Sequence, residues 1–231
     1  MIDISGTRRE ILAEIKKSGE TSISQLTKKL NIVTNAVRGH MVLLEKENLV
    51  TFRWLRQKKG RPLKIYKLSE DAEIYFTKKY DYLLNEIIKE IILLDGTEKL
   101  KFLTYDWEAW ENAPISTKGS EKFQQILSSL ALRWAGEIKE KLNLSGLPFD
   151  ESMKRFTDYL NTEGYLACLE KKPNGYVLSN YNCVYRNTSR LYRDICGITP
   201  AIIKELTNAQ VSIRTTIHDG SPCCILDISR P

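Results

Sequence analysis

Residues 34–68 read TNAVRGHMVLLEKENLVTFRWLRQKKGRPLKIYKL. The apolar residues change period part-way along. Val37, Met41 and Leu44 recur at the spacing of one helix face. After Leu49–Val50 the period drops to two: VTFRWLRQ, a basic tip KKGRP, then LKIYKLS, the pattern of a β-hairpin. Upstream, Ile11, Leu12 and Ile15 give a first helix that ends at Gly19. SISQ at 22–25 fits a capping box, with Ser22 as N-cap and Gln25 three residues on. Ile23, Leu26 and Leu30 give a second helix its buried face, Asn31 and Ile32 connect, and Thr34 caps the third. Three short helices followed by such a hairpin make a winged helix-turn-helix.

The charge distribution says what this module faces. The 231 residues carry a net +6, unevenly spread. Residues 1–69 hold 15 Lys+Arg against 6 Asp+Glu, and the remainder holds 20 against 23. A basic head on a slightly acidic body points to a polyanionic partner. Asn35, Arg38 and His40 lie on the polar side of the third helix, with Thr34 at its start, where they can reach base edges or phosphates of double-stranded DNA. Arg53, Arg56, Lys58, Lys59 and Arg61 on the wing can neutralise phosphates, making binding salt-dependent. The competing reading is a solvated basic surface, or a winged helix used for protein contacts. His40 ranks below Arg38 as a DNA contact.

The rest of the chain is predicted as two further segments, 70–147 and 148–231, beyond a head of 1–69. Residues 71–96 read as one long helix closed by Gly96, with Leu83/Leu84, Ile87/Ile88 and Ile91/Ile92 recurring every four residues. Residues 99–117, with Trp107 and Trp110, show no clear period. A second helix runs from about Ser120 to Leu142, its stripe Phe123, Ile126, Leu127, Leu130, Trp134 and Ile138. Pro148 precedes a helix bearing Met153, Phe156 and Leu160. Hairpins are predicted around KKPNG and around HDGSP, and a helix from Thr199 as N-cap and Pro200 to about Asn208. The fold class is therefore α+β: a winged helix-turn-helix, long central helices, and a small C-terminal α+β domain with an antiparallel sheet. Pairing on a two-fold operator predicts a homodimer.

No run is apolar enough for a membrane span, and MIDISGTRRE has no signal-peptide character, so a cytoplasmic setting with reduced thiols is expected. The five cysteines then point to metal binding, redox chemistry or burial. Cys183 follows a strand, Cys196 ends a short helical segment, and Cys223–Cys224 open the last strand. Adjacent strand residues splay to opposite faces, so Cys223 and Cys224 do not easily serve one site. Cys168, mid-strand, is expected to be buried as a small hydrophobe. Zinc sites usually bring a close Cys pair, whereas iron–sulfur clusters tolerate wider spacing. Spacing leaves open a cluster, zinc, or thiols that sense oxidants directly. A thiol enzyme using His40 or His218 is disfavoured, since the chain has only these 2 histidines. Arg186, Arg190 and Arg193 recur at helical spacing and are expected on a solvated face, with a second role of stabilising a thiolate-bound cluster.

VRGHMVLLEKENLV followed by GRPLKIYKLSEDAEIYFTKKYDYLL resembles the winged-helix regulators related to SufR, repressors of iron–sulfur cluster assembly genes. LNTEGYLACLE, NCVY, the gap to Cys196, VSIRTTI and GSPCCILDI are similar to the same family's C-terminal pattern. The resemblance covers roughly 20–96 and 150–229. It implies that Cys183, Cys196 and Cys224 ligate an iron–sulfur cluster, 4Fe–4S in preference to 2Fe–2S, in a repressor whose operator affinity the cluster controls. NCVY stands where NCPY is commoner, and an acidic residue often found after the second cysteine is missing. The fourth ligand is left among His218, Asp219 and Cys223.

Overall fold

The computed structural model describes residues 6–57, 60–94 and 121–231, with the side chains at 88, 89 and 91–94 outside that description. The positions of Lys58, Lys59, Gly96 and the 99–117 stretch therefore lie outside the described residues. The chain divides into two compact units, Met1–Thr77 and Lys78–Pro231, each taken by itself.

In the first unit, α1 (Thr7–Ser18), α2 (Ile23–Leu30) and α3 (Thr34–Lys46) are followed by β2 (Val50–Leu55) and β3 (Leu63–Leu68). The capping box forms as read: Gln25 N–H donates to Ser22 Oγ at 3.3 Å, and Ser22 N–H donates to Gln25 Oε1 at 2.8 Å. Ile11, Leu12 and Ile15 of α1 pack against Leu26 of α2 and Val37, Met41 and Leu44 of α3. Burying each of these side chains contributes about 1.5–3 kcal/mol. A two-residue strand β1 (Thr21–Ser22), unpredicted, pairs with β3, giving an antiparallel sheet in the order β1-β3-β2. Lys64 on β3 bonds both Glu45 oxygens, at 2.7 and 2.8 Å, and pins the hairpin to α3. Thr34 is the first helical residue of α3 and does not cap it. Val33 is the N-cap, with no side-chain bond to the helix end.

The single helix predicted over 71–96 is broken. Asp71–Tyr75 form a 3-10 turn, Phe76 is extended, and α4 begins only at Tyr80 (Tyr80–Leu94). Packing overrides the local pattern here. Ala72, Tyr75 and Phe76 pack on the core of the first unit, and Lys16 holds Glu73 at 2.7 Å while covering the Phe76 ring at 4.0 Å. Just beyond, Lys79 N–H donates to the Val184 carbonyl at 3.0 Å, inside the second unit.

The second unit contains α4, α5 (Glu121–Lys141), α6 (Phe149–Thr162), α7 (Arg186–Leu191) and α8 (Ile198–Thr207). Its sheet is antiparallel, built of β4 (Ala167–Lys172), β5 (Gly175–Asn180), β6 (Gln210–Thr215) and β7 (Cys224–Ser229), in the order β4-β5-β7-β6. Leu130, Trp134 and Ile138 of α5, Met153, Phe156 and Leu160 of α6, and Ile202 and Ile203 of α8 share one core with Leu178, Leu226 and Ile228 of the sheet. The 70–147 segment is thus shared out: 70–77 folds with the first unit, and α4 and α5 contribute core to the second. Arg133 of α5 bonds the buried carboxylates of Glu86 and Glu90 on α4 at 2.7 and 2.5 Å. Gly175 is obligatory, because a Cβ there would lie 1.9 Å from the Ile228 carbonyl oxygen.

Two expectations fail at element ends. Cys168 is exposed: β4 is an edge strand whose burial alternates, so Ala167 faces the core and Cys168 does not. Thr199 and Pro200 lie inside α8, which starts at Ile198 after a 3-10 turn, Arg193–Gly197. Proline is tolerated there because first-turn N–H groups have no intrahelical partner.

Candidate functional site

The exposed surface of α3 carries Thr34, Asn35 and Arg38, together with Gly39, Val42 and Lys46. Asn35, Arg38, Gly39, Val42 and Lys46 follow the i, i+3, i+4, i+7, i+11 series of one helix face. Only the first two were singled out from sequence; the series itself was the signal for the other three. His40 falls outside this set. It is half-buried and about 200° round the helix from Arg38, at roughly 100° per residue.

On the hairpin, Arg53, Arg56 and Arg61 are exposed. Arg53 is held by Glu20 in a two-pronged contact, at 3.1 and 2.7 Å, and this bond lowers the Glu20 carboxyl below its usual range. A phosphate at Arg53 would have to displace Glu20. Among the described residues Arg38, Arg56 and Arg61 form no ion pair, so their charge is available to an external anion.

The second unit gathers three cysteines from distant points of the chain. Cys183 lies in the turn after β5, Cys196 in the 3-10 turn before α8, and Cys224 opens β7, paired with Asn180 of β5. All three line one cavity of about 50 Å³, room for about three waters. Burial pushes the Cys196 thiol well above its ordinary range, and nearby Cys183 and Cys224 push it further. Burial likewise pushes Cys224 up to about 12, although Ile217 N–H donates to its sulfur at 3.4 Å. Cys223 faces elsewhere. It is buried beside Ser179 and Ser221 and does not line the cavity.

The candidates for a fourth ligand are otherwise engaged. His218 Nε2 is 2.9 Å from Ser189 Oγ, which is 3.5 Å from Cys183 Sγ. Burial, then the charges of Arg193 and Arg186, bring the His218 pKa down to about 4. Asp219 accepts from Thr216 N–H at 2.8 Å and Thr216 Oγ at 2.7 Å, and pairs with Arg193 at 2.5 Å. Burial raises its pKa, but these bonds more than offset that and leave it lowered. Arg193 is buried, contrary to the solvated face expected of it, because α7 ends at Leu191 and the 3-10 turn swings Arg193 inward. Sequence reading missed Asn180. Its Oδ1 is buried without a hydrogen-bond partner among the described residues, and the residue lines the cysteine cavity.

Among the described residues no group of three or more His, Cys, Asp or Glu is arranged to hold a single metal ion. Sharing a cavity is a looser relation than sharing an ion. Three thiols are donors of the kind that either zinc or an iron–sulfur cluster takes. The Arg193 guanidinium, whose charge acts on Cys196, suits an anionic, thiolate-bound group, whereas the unpartnered Asn180 Oδ1 is an acceptor and asks for a donor. The cluster's site residues would be Cys183, Cys196 and Cys224.

No family model and no curated protein matches the chain. Among solved structures, Streptococcus pneumoniae FabT in complex with DNA aligns at 18% identity over 42% of this chain and 64% of that chain, with a TM-score of 0.28. The chain thus spans less than two thirds of the FabT length. Bacillus subtilis PadR in complex with operator DNA aligns at 17% identity over 68% of this chain and 90% of that chain, again with a TM-score of 0.28. At that score the chains as wholes do not superpose, so fold and function rest on this chain's own residues. No helix among the described residues is long and apolar enough to cross a membrane.

Proposed function

We propose that this chain is a cytoplasmic, homodimeric DNA-binding transcriptional regulator, a repressor, whose operator affinity is set by an iron–sulfur cluster held at Cys183, Cys196 and Cys224. The observation that carries the sensor half is the single cavity lined by these three cysteines. The DNA half is supported by the exposed face of Asn35 and Arg38 on α3 and by Arg56 and Arg61 on the hairpin. The winged helix supplies a helix of the right width for the major groove and a basic hairpin for the flanking phosphates.

A bound cluster would supply a covalent tie among three segments that otherwise meet only through packing. The protein's part is to present the thiols, exclude water and hold positive charge nearby. Arg193, fixed by Asp219 and Thr216, does the last. Loss of the tie loosens the 183–196 and 217–224 segments. A coupling of about 1–3 kcal/mol between sensor and head changes operator affinity about 5–150-fold.

Zinc binding and direct oxidant sensing are the alternatives. The raised Cys196 and Cys224 thiols disfavour thiolate chemistry of every kind while the site is empty, so they do not separate these readings from a cluster, which would itself draw off the protons. A thiol enzyme is opposed by His218, whose pKa of about 4 makes it a weak base. The test is anaerobic purification with iron and sulfide analysis, followed by binding to operator fragments selected from genomic DNA. Wild type should be brown, dimeric by light scattering and tightly bound. Cys183→Ser should lose colour and operator affinity together. Stoichiometric zinc, or colour loss without any affinity change, would defeat the proposal.

A further inference from the structure

Thr77 ends the first unit and Lys78 opens the second, so the backbone passes from one to the other at this point. The residues just past the join hold one short stretch of the second unit, 182–187. Lys78 Nζ donates to Asn182 Oδ1 at 3.0 Å and to the Cys183 carbonyl at 3.2 Å. Lys79 N–H donates to the Val184 carbonyl at 3.0 Å, and Asn187 N–H donates to Tyr80 Oη at 3.2 Å. The held stretch is anchored on its other side as well. Asn182 is fully buried; its Nδ2 donates to the Gly164 carbonyl at 2.7 Å and its N–H to the Tyr165 carbonyl at 2.9 Å.

Asn182 and Cys183 both line the cysteine cavity. The grip therefore falls on a wall of that cavity, at the turn carrying one of its three cysteines. Hydrogen bonds from a charged donor are roughly twice as strong as neutral ones, so Lys78 is the firmest part of the grip. The 182–184 turn cannot shift without breaking these bonds or pulling residues 78–80 with it. Those residues continue directly into the chain of the winged helix. Coupling between sites needs an element with two arrangements that both sites bias, and a turn that is held or released is such an element.

We propose that residues 78–80 are the coupling element between the cysteine cavity and the head, with Lys78 as a positioning residue for the Cys183 turn. A change at Cys183 reaches the head as a tightening or release of this grip. The inference rests on the reading of the head as a DNA binder, and it holds whichever group fills the cavity. Coupling is reciprocal, so DNA on the head favours the held turn even when the cavity is empty.

The test is hydrogen exchange on the full-length, reduced and chelated protein, with and without saturating operator fragment. Amides in 182–187 exchange when the turn opens, and the amides of β4 serve as the control. Operator should slow exchange at 182–187 by about 5–150-fold in the wild type. Lys78→Met should speed exchange there about tenfold without DNA, and should lose the slowing by operator. Lys78→Arg, which keeps a charged donor, should restore part of the slowing. A Lys78→Met protein that speeds exchange yet keeps the full effect of operator would show a clasp with no part in coupling. Operator bound by the wild type with no change at 182–187 overturns the inference and leaves the DNA-binding head standing. Absence of operator binding by the wild type defeats the reading of the head itself. Should Lys78→Met fail to fold, the wild-type comparison decides alone.

Discussion

Replacing Gly39 with alanine should make the first unit more stable and its DNA binding weaker. Gly39 sits inside α3, exposed, and a Cβ built there meets nothing within 4 Å. Alanine is favoured over glycine in a helix interior by about 0.8–1.0 kcal/mol, and no clash subtracts from that gain. For a unit of this length, 1 kcal/mol moves the unfolding midpoint by about 4–8 °C. Yet Gly39 lies on the same face as Asn35, Arg38 and Val42, the face proposed to enter the groove. A methyl group there holds the helix off the DNA, by roughly a bond length, where contacts of Asn35 and Arg38 need hydrogen-bond distance. Loosening one base contact costs about 1–3 kcal/mol, so affinity should drop about tenfold or more. Hydrogen exchange of the α3 amides reports the stability, and fluorescence anisotropy on a selected operator at fixed salt reports the binding. An alanine variant that is more stable and binds equally well would show that this face does not touch DNA. A less stable variant would show that the space around Gly39 has been misjudged.

Other consequences can be checked in the same material. Arg133→Met leaves Glu86 and Glu90 buried without their cation and should cost about 3–5 kcal/mol in urea unfolding, largely restored by adding Glu86→Gln and Glu90→Gln; a loss under about 1 kcal/mol would contradict this. Arg61→Ala should reduce the slope of log affinity against log salt by about 1 and weaken all sequences alike, whereas a change in base preference would mean that Arg61 reads bases. Asn180→Leu removes a buried carbonyl oxygen that has no hydrogen-bond partner among the described residues, so urea unfolding should show the metal-free protein as stable or more stable. A loss of more than about 1 kcal/mol would show that this oxygen is satisfied in the folded protein.

What could be read from the sequence was local. The Ser22–Gln25 capping box needs only four adjacent residues, and it forms as read. The hairpin of β2 and β3 announces itself by alternation and a basic tip, and its register runs unbroken from Val50↔Leu68 to Leu55↔Leu63. β1 is two residues long and owes its existence to β3, so no window of sequence contains it. The broken helix at Phe76 failed for the same reason: the apolar spacing continues across residues that belong to different units. Of the candidate site, the three cysteines were singled out through the resemblance, and they line one cavity. Their neighbours were not singled out. Asn180 looks like any strand-end asparagine until its pairing with Cys224 places it at the cavity, and Arg193 looks exposed until the turn after Leu191 buries it.

The strand order carries one more consequence. β7, last in sequence, sits between β5 and β6 rather than at an edge. A ribosome that stalls before residue 224 therefore leaves two neighbouring strands with a gap between them and one sulfur short of three. The cavity lined by Cys183, Cys196 and Cys224 therefore comes into being only once β7 has been threaded between β5 and β6, so a chain cut short of that strand cannot counterfeit it.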